Sequence, residues 1–454
     1  MSGDTDRTRH RTSVPGAVRH RAGRAASGRG RRLGSVGLPV VVLVVVVVAT
    51  VRPVGGQRVW VYAVAAAAMF AARGLWLGRP VTGRHTVVAG VLLVGSPLII
   101  ATGHDAIAWV ALASTGVALV WPTSERPHPE LLPVVAALVD STPRDPLAPF
   151  AMHSYKSYFV AGDGAAALGY HARLGVAVVT GDPIGDPDLF PALVSGFREH
   201  CRSRGWRIMV LAASESRRGL WPELRAVPIG RDVVIDVSGF ETVGRRYRNL
   251  RQAVSRTRNA GVTTEVIAEV DVTEPLRSEL REVAENAHGG PSDRGFSMIL
   301  DHPLDGRCPG MLLAIARDTD GVVQGFQRYG VAGHGTEISL DVPWRRPGAP
   351  NGIDERLSVA MVDYAREHGG ERVSLAFAAF PELFDDRNRR WSRRVLYNLV
   401  HLGDPLLELE SLYRYLTKFH ALDERRYALL SLRTVPVAAF AALTLEFAPH
   451  RTGR

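Results

Sequence analysis

The chain has 454 residues, with 55 basic residues against 45 acidic ones and a formal charge of +10. The surplus is local: residues 1–121 hold fourteen arginines, no lysine and only Asp4, Asp6 and Asp105, whereas residues 122–454 carry 41 basic and 42 acidic residues. That excludes a protein coating nucleic acid along its whole length. Two cysteines, Cys201 and Cys308, exclude a disulfide framework and a four-thiolate zinc site, and fit a reducing compartment.

Residues 1–32 are rich in Arg, Gly and Ser with little to bury, and read as a disordered basic tail. Residues 33–121 form a membrane region with four apolar stretches: Leu33–Val51, Val59–Leu77, Thr86–Ala101 and Ala106–Trp121. The first two are long enough to span a bilayer and the last two slightly short. Arginines crowd the tail and the second loop (Arg79, Arg84), which predicts a cytoplasmic tail. Four spans return the rest of the chain to the same side. Residues 122–148 read as a Pro-rich linker with one short helical piece, Leu131–Val139.

Beyond the linker, short apolar runs predict strands at Ser157–Ala161, Ala165–His171 and Gly175–Thr180, then a helix over Asp188–Arg204 and strands at Arg207–Ala212 and Asp232–Val237. The order then repeats. A helix at Glu274–Ala287 precedes strands at Met311–Arg317, Val322–Tyr329 and Thr336–Asp341, a helix at Ile353–His368 and a strand at Arg372–Phe377. A strand meander feeding a loop, a helix and one more strand is the order of a GNAT acyltransferase core. The expected class is therefore α/β, with tandem GNAT-like domains at 149–240 and 261–433 behind about four transmembrane helices. Between the halves, residues 241–260 have helical periodicity and six arginines against one acid, including Arg245, Arg246, Arg248 and Arg251. Such a helix is either a solvated face over a packed stripe or a rail for phosphates. Residues 434–454 hold an apolar run, Val435–Phe447, suited to a bilayer surface or to a core.

Chemistry concentrates in Ile338–Leu357, ISLDVPWRRPGAPNGIDERL. Asp341 ends a strand, Arg345 and Arg346 follow, and a Gly/Pro loop containing Asn351 opens a helix at Ile353–Glu355. A loop entering a helix N-terminus offers free N–H groups to an anion, and arginines can fork onto a phosphate. Acyl-CoA-using GNAT enzymes carry R-x-x-G-x-[GA] in this slot. Here Pro350 takes the last position and lacks the N–H for pyrophosphate, which argues against acetyl-CoA. Two lysines, Lys156 and Lys418, stand beside 53 arginines. Arg387–Arg394 is a further basic cluster. The histidines show no metal-ligand spacing and no G-x-S-x-G elbow occurs, so no metal and no cofactor are expected.

The stretch from Phe150 to Leu432 resembles the C-terminal catalytic region of phosphatidylglycerol lysyltransferases, the lysylphosphatidylglycerol synthase or multiple-peptide-resistance family. The likeness rests on YKSYF (Tyr155–Phe159), GDPIGDP (Gly181–Pro187), RRYRNLRQAV (Arg245–Val254), RGFSM (Arg294–Met298), SLD (Ser339–Asp341), PNGIDERL (Pro350–Leu357) and ESLYRYLTKF with a following RRY (Glu410–Tyr427), in that order. Trp344 departs from it, since the family usually has Arg there, as does HALDER (His420–Arg425). The membrane part is also shorter. The resemblance implies an aminoacyl-tRNA co-substrate, transfer of lysine or another amino acid to phosphatidylglycerol or another anionic lipid, and resistance to cationic peptides. It places Asp341, Glu355 and Lys418 in the catalytic set. Arg345, Arg346, Asn351, Arg426 and Lys156 then bind substrate, and the arginines at 245, 246, 248 and 251 bind tRNA or phosphate. Alternatives left open are another lipid or peptidoglycan-precursor acceptor, and a non-catalytic protein that binds tRNA or lipid.

Overall fold

The computed structural model describes residues 59–76, 78–287, 299–300, 303–306, 308–379, 414–431 and 435–447. They form two compact units. One comprises the described residues up to Pro122 with Val160–Ala165 and Arg202–Gly205, and the other holds the remaining described residues.

The first unit contains helices α1 (Val59–Trp76), α2 (Gly83–Ala101) and α3 (Asp105–Leu119). Among the described residues, α1 and α2 are long and apolar enough to cross a membrane, while α3 is shorter. The expected span at Leu33–Val51 lies outside the described residues; the other three expected spans are helices, of which α1 and α2 have spanning length and α3 falls short. Small residues let these helices approach closely. A Cβ on Gly116 of α3 would lie 2.0 Å from the Ala67 carbonyl of α1, and one on Gly74 would meet the Val120 side chain at 2.2 Å. Helices in lipid pack through such contacts, having no hydrophobic force between them. Large side chains such as Tyr62, Met69, Val91, Leu98 and Val110 face outward, where water would penalise them.

The second unit begins with helix α4 (Leu132–Asp140) and is built on one sheet of twelve strands among the described residues. The first half contributes β1 (Ser157–Val160), β2 (Ala166–Arg173), β3 (Val176–Thr180), the short β4 (Ile184–Gly185), helix α5 (Phe190–Ser203), β5 (Arg207–Ser214) and β6 (Arg225–Asp236). Helix α6 (Arg248–Asn259) connects to the second half. That half holds β7 (Thr263–Ala268), α7 (Glu274–Asn286), β8 (Met311–Arg317), β9 (Val323–Ala332), β10 (Glu337–Arg345), α8 (Ile353–Glu367), β11 (Arg372–Ala379) and β12 (Leu422–Leu430), followed by α9 (Val435–Phe447). Strands β4, β7 and β12 have no counterpart among the elements the sequence predicts, and β6 begins seven residues before its predicted start.

Each half is an antiparallel meander whose last strand pairs in parallel, across a helix, with the next: β3 with β5 and β10 with β11. Helices cover both faces. In the first half, Tyr170 of β2 lies opposite Val179 and carries Phe197 of α5 at 4.9 Å between ring centroids. Val176 and Val178, one residue out of phase, pack instead with Ala438, Ala441 and Leu445 of α9. In the second half, Leu313 and Ile315 meet Leu280 and Val283 of α7, whereas Ala314 and Ala316 join the core that includes Leu357 and Met361 of α8. Continuous apolar runs therefore read as strands buried on both faces.

The halves exchange their last strands. The sheet runs β1-β2-β3-β5-β12-β6-β11-β10-β9-β8-β7, so β12 of the second half lies antiparallel to β5 and β6 of the first half lies antiparallel to β11.

Candidate active site

The two parallel pairs differ. Strands β3 and β5 stay in register for five residues, Val176↔Arg207 to Thr180↔Leu211. Strands β10 and β11 pair over three, Glu337↔Arg372 to Ser339↔Ser374, and then part. Beyond Ser339, β10 carries a bulge between Leu340 and Val342, which leaves Asp341 as the extra residue. Beyond Ser374, β11 bulges before Phe377 while following β6. Bulges re-aim a strand and commonly sit beside active sites.

At the bulge, Asp341 is fully buried against Arg328 of β9 (Oδ2 to Nη1, 3.2 Å), and its other oxygen accepts the Leu300 N–H at 2.8 Å. Arg328 also binds buried Glu269 (Nε to Oε2, 2.7 Å). Burial pushes the Asp341 carboxyl up to about 6, since the arginine that would pull it down is shared with a second carboxylate. Arg328 was not foreseen. The signal was present, because a charged residue interrupts the buried strand VQGFQRYGVA.

A second cluster forms at the α8 N-terminus. The Lys418 ammonium donates to Oε1 of buried Glu355 and is itself about one-third exposed. Arg345 approaches Asp354 at 3.7 Å, and burial raises the Asp354 carboxyl, with Arg345 and Lys418 opposing and Glu355 assisting. Behind it, Gln327 Oε1 accepts from Tyr329 (2.6 Å) and Ser358 (3.2 Å), and Ser358 lies 2.5 Å from the Tyr415 hydroxyl. Burial keeps Tyr415 and Tyr329 protonated. Asn351 is exposed, and Gly352 caps α8 at φ +103°. A Cβ there would meet the Ala253 carbonyl of α6 at 2.7 Å, so this glycine lets the two helices touch.

Other sequence candidates are placed elsewhere. Arg346 turns to Glu282 (2.7 Å) and the Val323 carbonyl. Lys156 is buried in the first half and donates to the Phe150 carbonyl at 2.6 Å. Arg426 of β12 is buried among Asp232 (2.7 Å), Asp145 (2.9 Å) and Asp182 (3.2 Å), and also donates to the Ala212 carbonyl. Asp182 and Asp232 are pushed up to about 6, chiefly by burial. Trp344 stacks on Phe326 at 4.8 Å in the core. Arg245, Arg246 and Arg248 are exposed, whereas Arg251 is half-buried and donates to the Thr242 and Gly244 carbonyls (2.6 Å each). Arg294–Met298 and Arg387–Arg394 lie outside the described residues. So do Glu410–Tyr413, the start of the last quoted block.

Residues 136–430 match the family model described as phosphatidylglycerol lysyltransferase, C-terminal. The chain belongs to this family. Over 406 residues it is 53% identical to the MprF-like domain protein Rv1619 of Mycobacterium tuberculosis, covering 88% of this chain and 84% of that one. It is 31% identical over 283 residues to the lysylphosphatidylglycerol biosynthesis bifunctional protein LysX of Rhodococcus opacus, spanning 61% of this chain but a quarter (25%) of that protein. The structure of L-PGS from Bacillus licheniformis matches with a TM-score of 0.59 at 21% identity, over 72% of this chain and 99% of that one. A DUF2156 C-terminal domain from Agrobacterium fabrum matches at 0.60 and 24%, over 71% and 98%. At these identities the solved structures show the shared fold alone.

Proposed function

We propose that the chain is a membrane-bound aminoacyltransferase that moves lysine or another amino acid from aminoacyl-tRNA to a hydroxyl of phosphatidylglycerol. Membership of the phosphatidylglycerol lysyltransferase family carries the reading, and the clustered Arg345, Asp354, Glu355 and Lys418 beside the parting strands support it. The reaction is a transesterification. The glycerol hydroxyl oxygen attacks the ester carbonyl carbon, its proton passes to a carboxylate, and the tetrahedral oxyanion collapses by expelling the ribose hydroxyl of the tRNA end, which regains a proton. Glu355, held through one oxygen by Lys418, accepts the proton. Lys418 stabilises the oxyanion, and Arg345 holds phosphate. Asp341, with both oxygens engaged, positions the strands around them. The exposed arginines of α6 carry the tRNA backbone. Apolar helices α1–α3, together with the stretch Leu33–Val51, keep the enzyme at its lipid substrate as a multi-pass protein with a cytoplasmic catalytic region.

Lipid mass spectrometry tests this on cells expressing the intact chain, Glu355→Gln or Asp341→Asn, each with expression and membrane insertion checked. An aminoacyl-phosphatidylglycerol is expected with the intact chain, falling at least ~100-fold in Glu355→Gln. In isolated membranes its formation should require charged tRNA and stop on ribonuclease treatment. Absence of any such lipid with an inserted protein overturns the reading, and synthesis that survives ribonuclease overturns the donor.

A further inference from the structure

Helix α9 is apolar on every side from Val435 to Leu445, and its one charged residue, Glu446, falls in the last turn. Ala438, Ala441, Ala442 and Leu445 are buried against β3, β5 and β12, so one face completes the core of the first half. The opposite face exposes Val437 (48%), Phe440 (59%) and Leu443 (54%). No charged residue lies between Val435 and Leu445, and the Thr444 hydroxyl is satisfied within the helix by the Ala441 carbonyl at 2.9 Å. A helix apolar all round belongs inside a large core or in lipid, and here the sheet covers only half of it. With 13 residues it reaches about 20 Å, short of the ~30 Å hydrocarbon core, so it can lie on a bilayer but not cross one.

The charges at its edge have the sign an anionic membrane attracts. The chain leaves β12 for α9 at the end of the sheet where β5 begins with Arg207 and β6 with Arg225, which is paired with Leu430. Both arginines are exposed. Leu174 and Val227, at the same strand ends, are exposed too. In sequence, Arg433 precedes the helix and Arg451 follows it. An apolar face bordered by arginines is the pattern of an interfacial helix.

We infer that the outward face of α9 is a membrane-docking surface, through which the second unit rests on an anionic lipid bilayer independently of the spanning helices. The inference does not depend on which acyl donor or acceptor the enzyme uses.

The full chain, reconstituted in phosphatidylcholine vesicles with or without phosphatidylglycerol, tests it. Cysteines introduced as Phe440→Cys, Leu443→Cys or, as a water-facing control, Asn259→Cys are labelled with a polarity-sensitive fluorophore, while the buried native thiols stay unlabelled. Blue-shifted emission at 440 and 443 is expected, with severalfold stronger quenching by spin-labelled lipid than at 259, and more so with phosphatidylglycerol present. Aqueous emission at 440 and 443, quenched no more by lipid than at 259, overturns the inference. So does a shielded probe that lipid does not quench, accompanied by a 440–440 disulfide between two chains of the unlabelled Phe440→Cys protein, because a second copy would then be the occupant.

Discussion

Carboxylates in this protein differ by what each shares. Glu355 pairs directly with Lys418, Asp341 shares Arg328 with Glu269, and three aspartates divide Arg426. Glu337, buried at the start of β10, takes a backbone hydrogen bond from Arg144 and faces the Arg372 guanidinium at 3.6 Å, which also binds Asp423 at 2.6 Å. Burial pushes the Glu337 carboxyl up to about 7. The folded chain thus holds this proton more tightly than the unfolded one, whose glutamate titrates near 4.3. Its contribution to stability is complete below about pH 4 and is lost as pH rises through 7. Glu337→Gln removes the charge and keeps the shape. It should stabilise the protein by about 1–3 kcal/mol at pH 7.5 and by almost nothing at pH 4.5. Thermal unfolding in detergent at the two pH values checks this, and an equal gain at both would refute the assignment.

Helix α6 shows one element meeting two demands. Its buried stripe is Leu250, Ala253 and Thr257, and Gly352 brings α8 against it at Ala253. The rest of the helix carries four arginines and no acid. Burial, with the Arg258 charge adding to it, holds the Arg356 guanidinium of α8 below its usual range. Neutralising phosphates with such a surface makes binding salt-dependent. The double variant Arg245→Glu/Arg248→Glu should raise KM for aminoacyl-tRNA at least ~10-fold and flatten the salt dependence by about two counterions. Activity against lipid concentration should not change. Measured rates at several salt concentrations decide it, and an unaltered KM would show that α6 is only a solvated face. The periodicity and charge of this helix were legible from sequence. Its first helical residue is Arg248, so Arg245 and Arg246 stand on the approach, where Arg246 and His420 exchange side-chain-to-backbone bonds (2.8 and 3.1 Å).

At the scale of the molecule, strand exchange makes the halves interdependent. Without β12, both β5 and β6 lose a neighbour at the centre of the sheet, and the three aspartates lose Arg426. Buried carboxylates left without their cation cost several kcal/mol. Deleting Leu422–Arg454 should therefore unfold the first half as well as the second. Limited trypsin digestion followed by mass spectrometry should find cleavage within Arg225–Asp236, which the intact chain resists. Survival of 157–214 as a resistant fragment would show that the first half folds alone.

What the sequence determined by itself was whatever depends on near neighbours: the apolar helices, the repeated order of strands and helix, the basic helix and the loop that opens α8. These follow from periodicities of two and 3.6 and from the special backbone of Gly and Pro. What only the tertiary structure decided was the partner of each buried charge and the side of α9 that stays bare. Arg426 and Asp145 are separated by 281 positions, and Arg328 and Glu269 by 59. No local pattern links such residues. They meet because exchanged strands close one sheet, and burial then obliges each charge to find the opposite charge that the sheet brings to it.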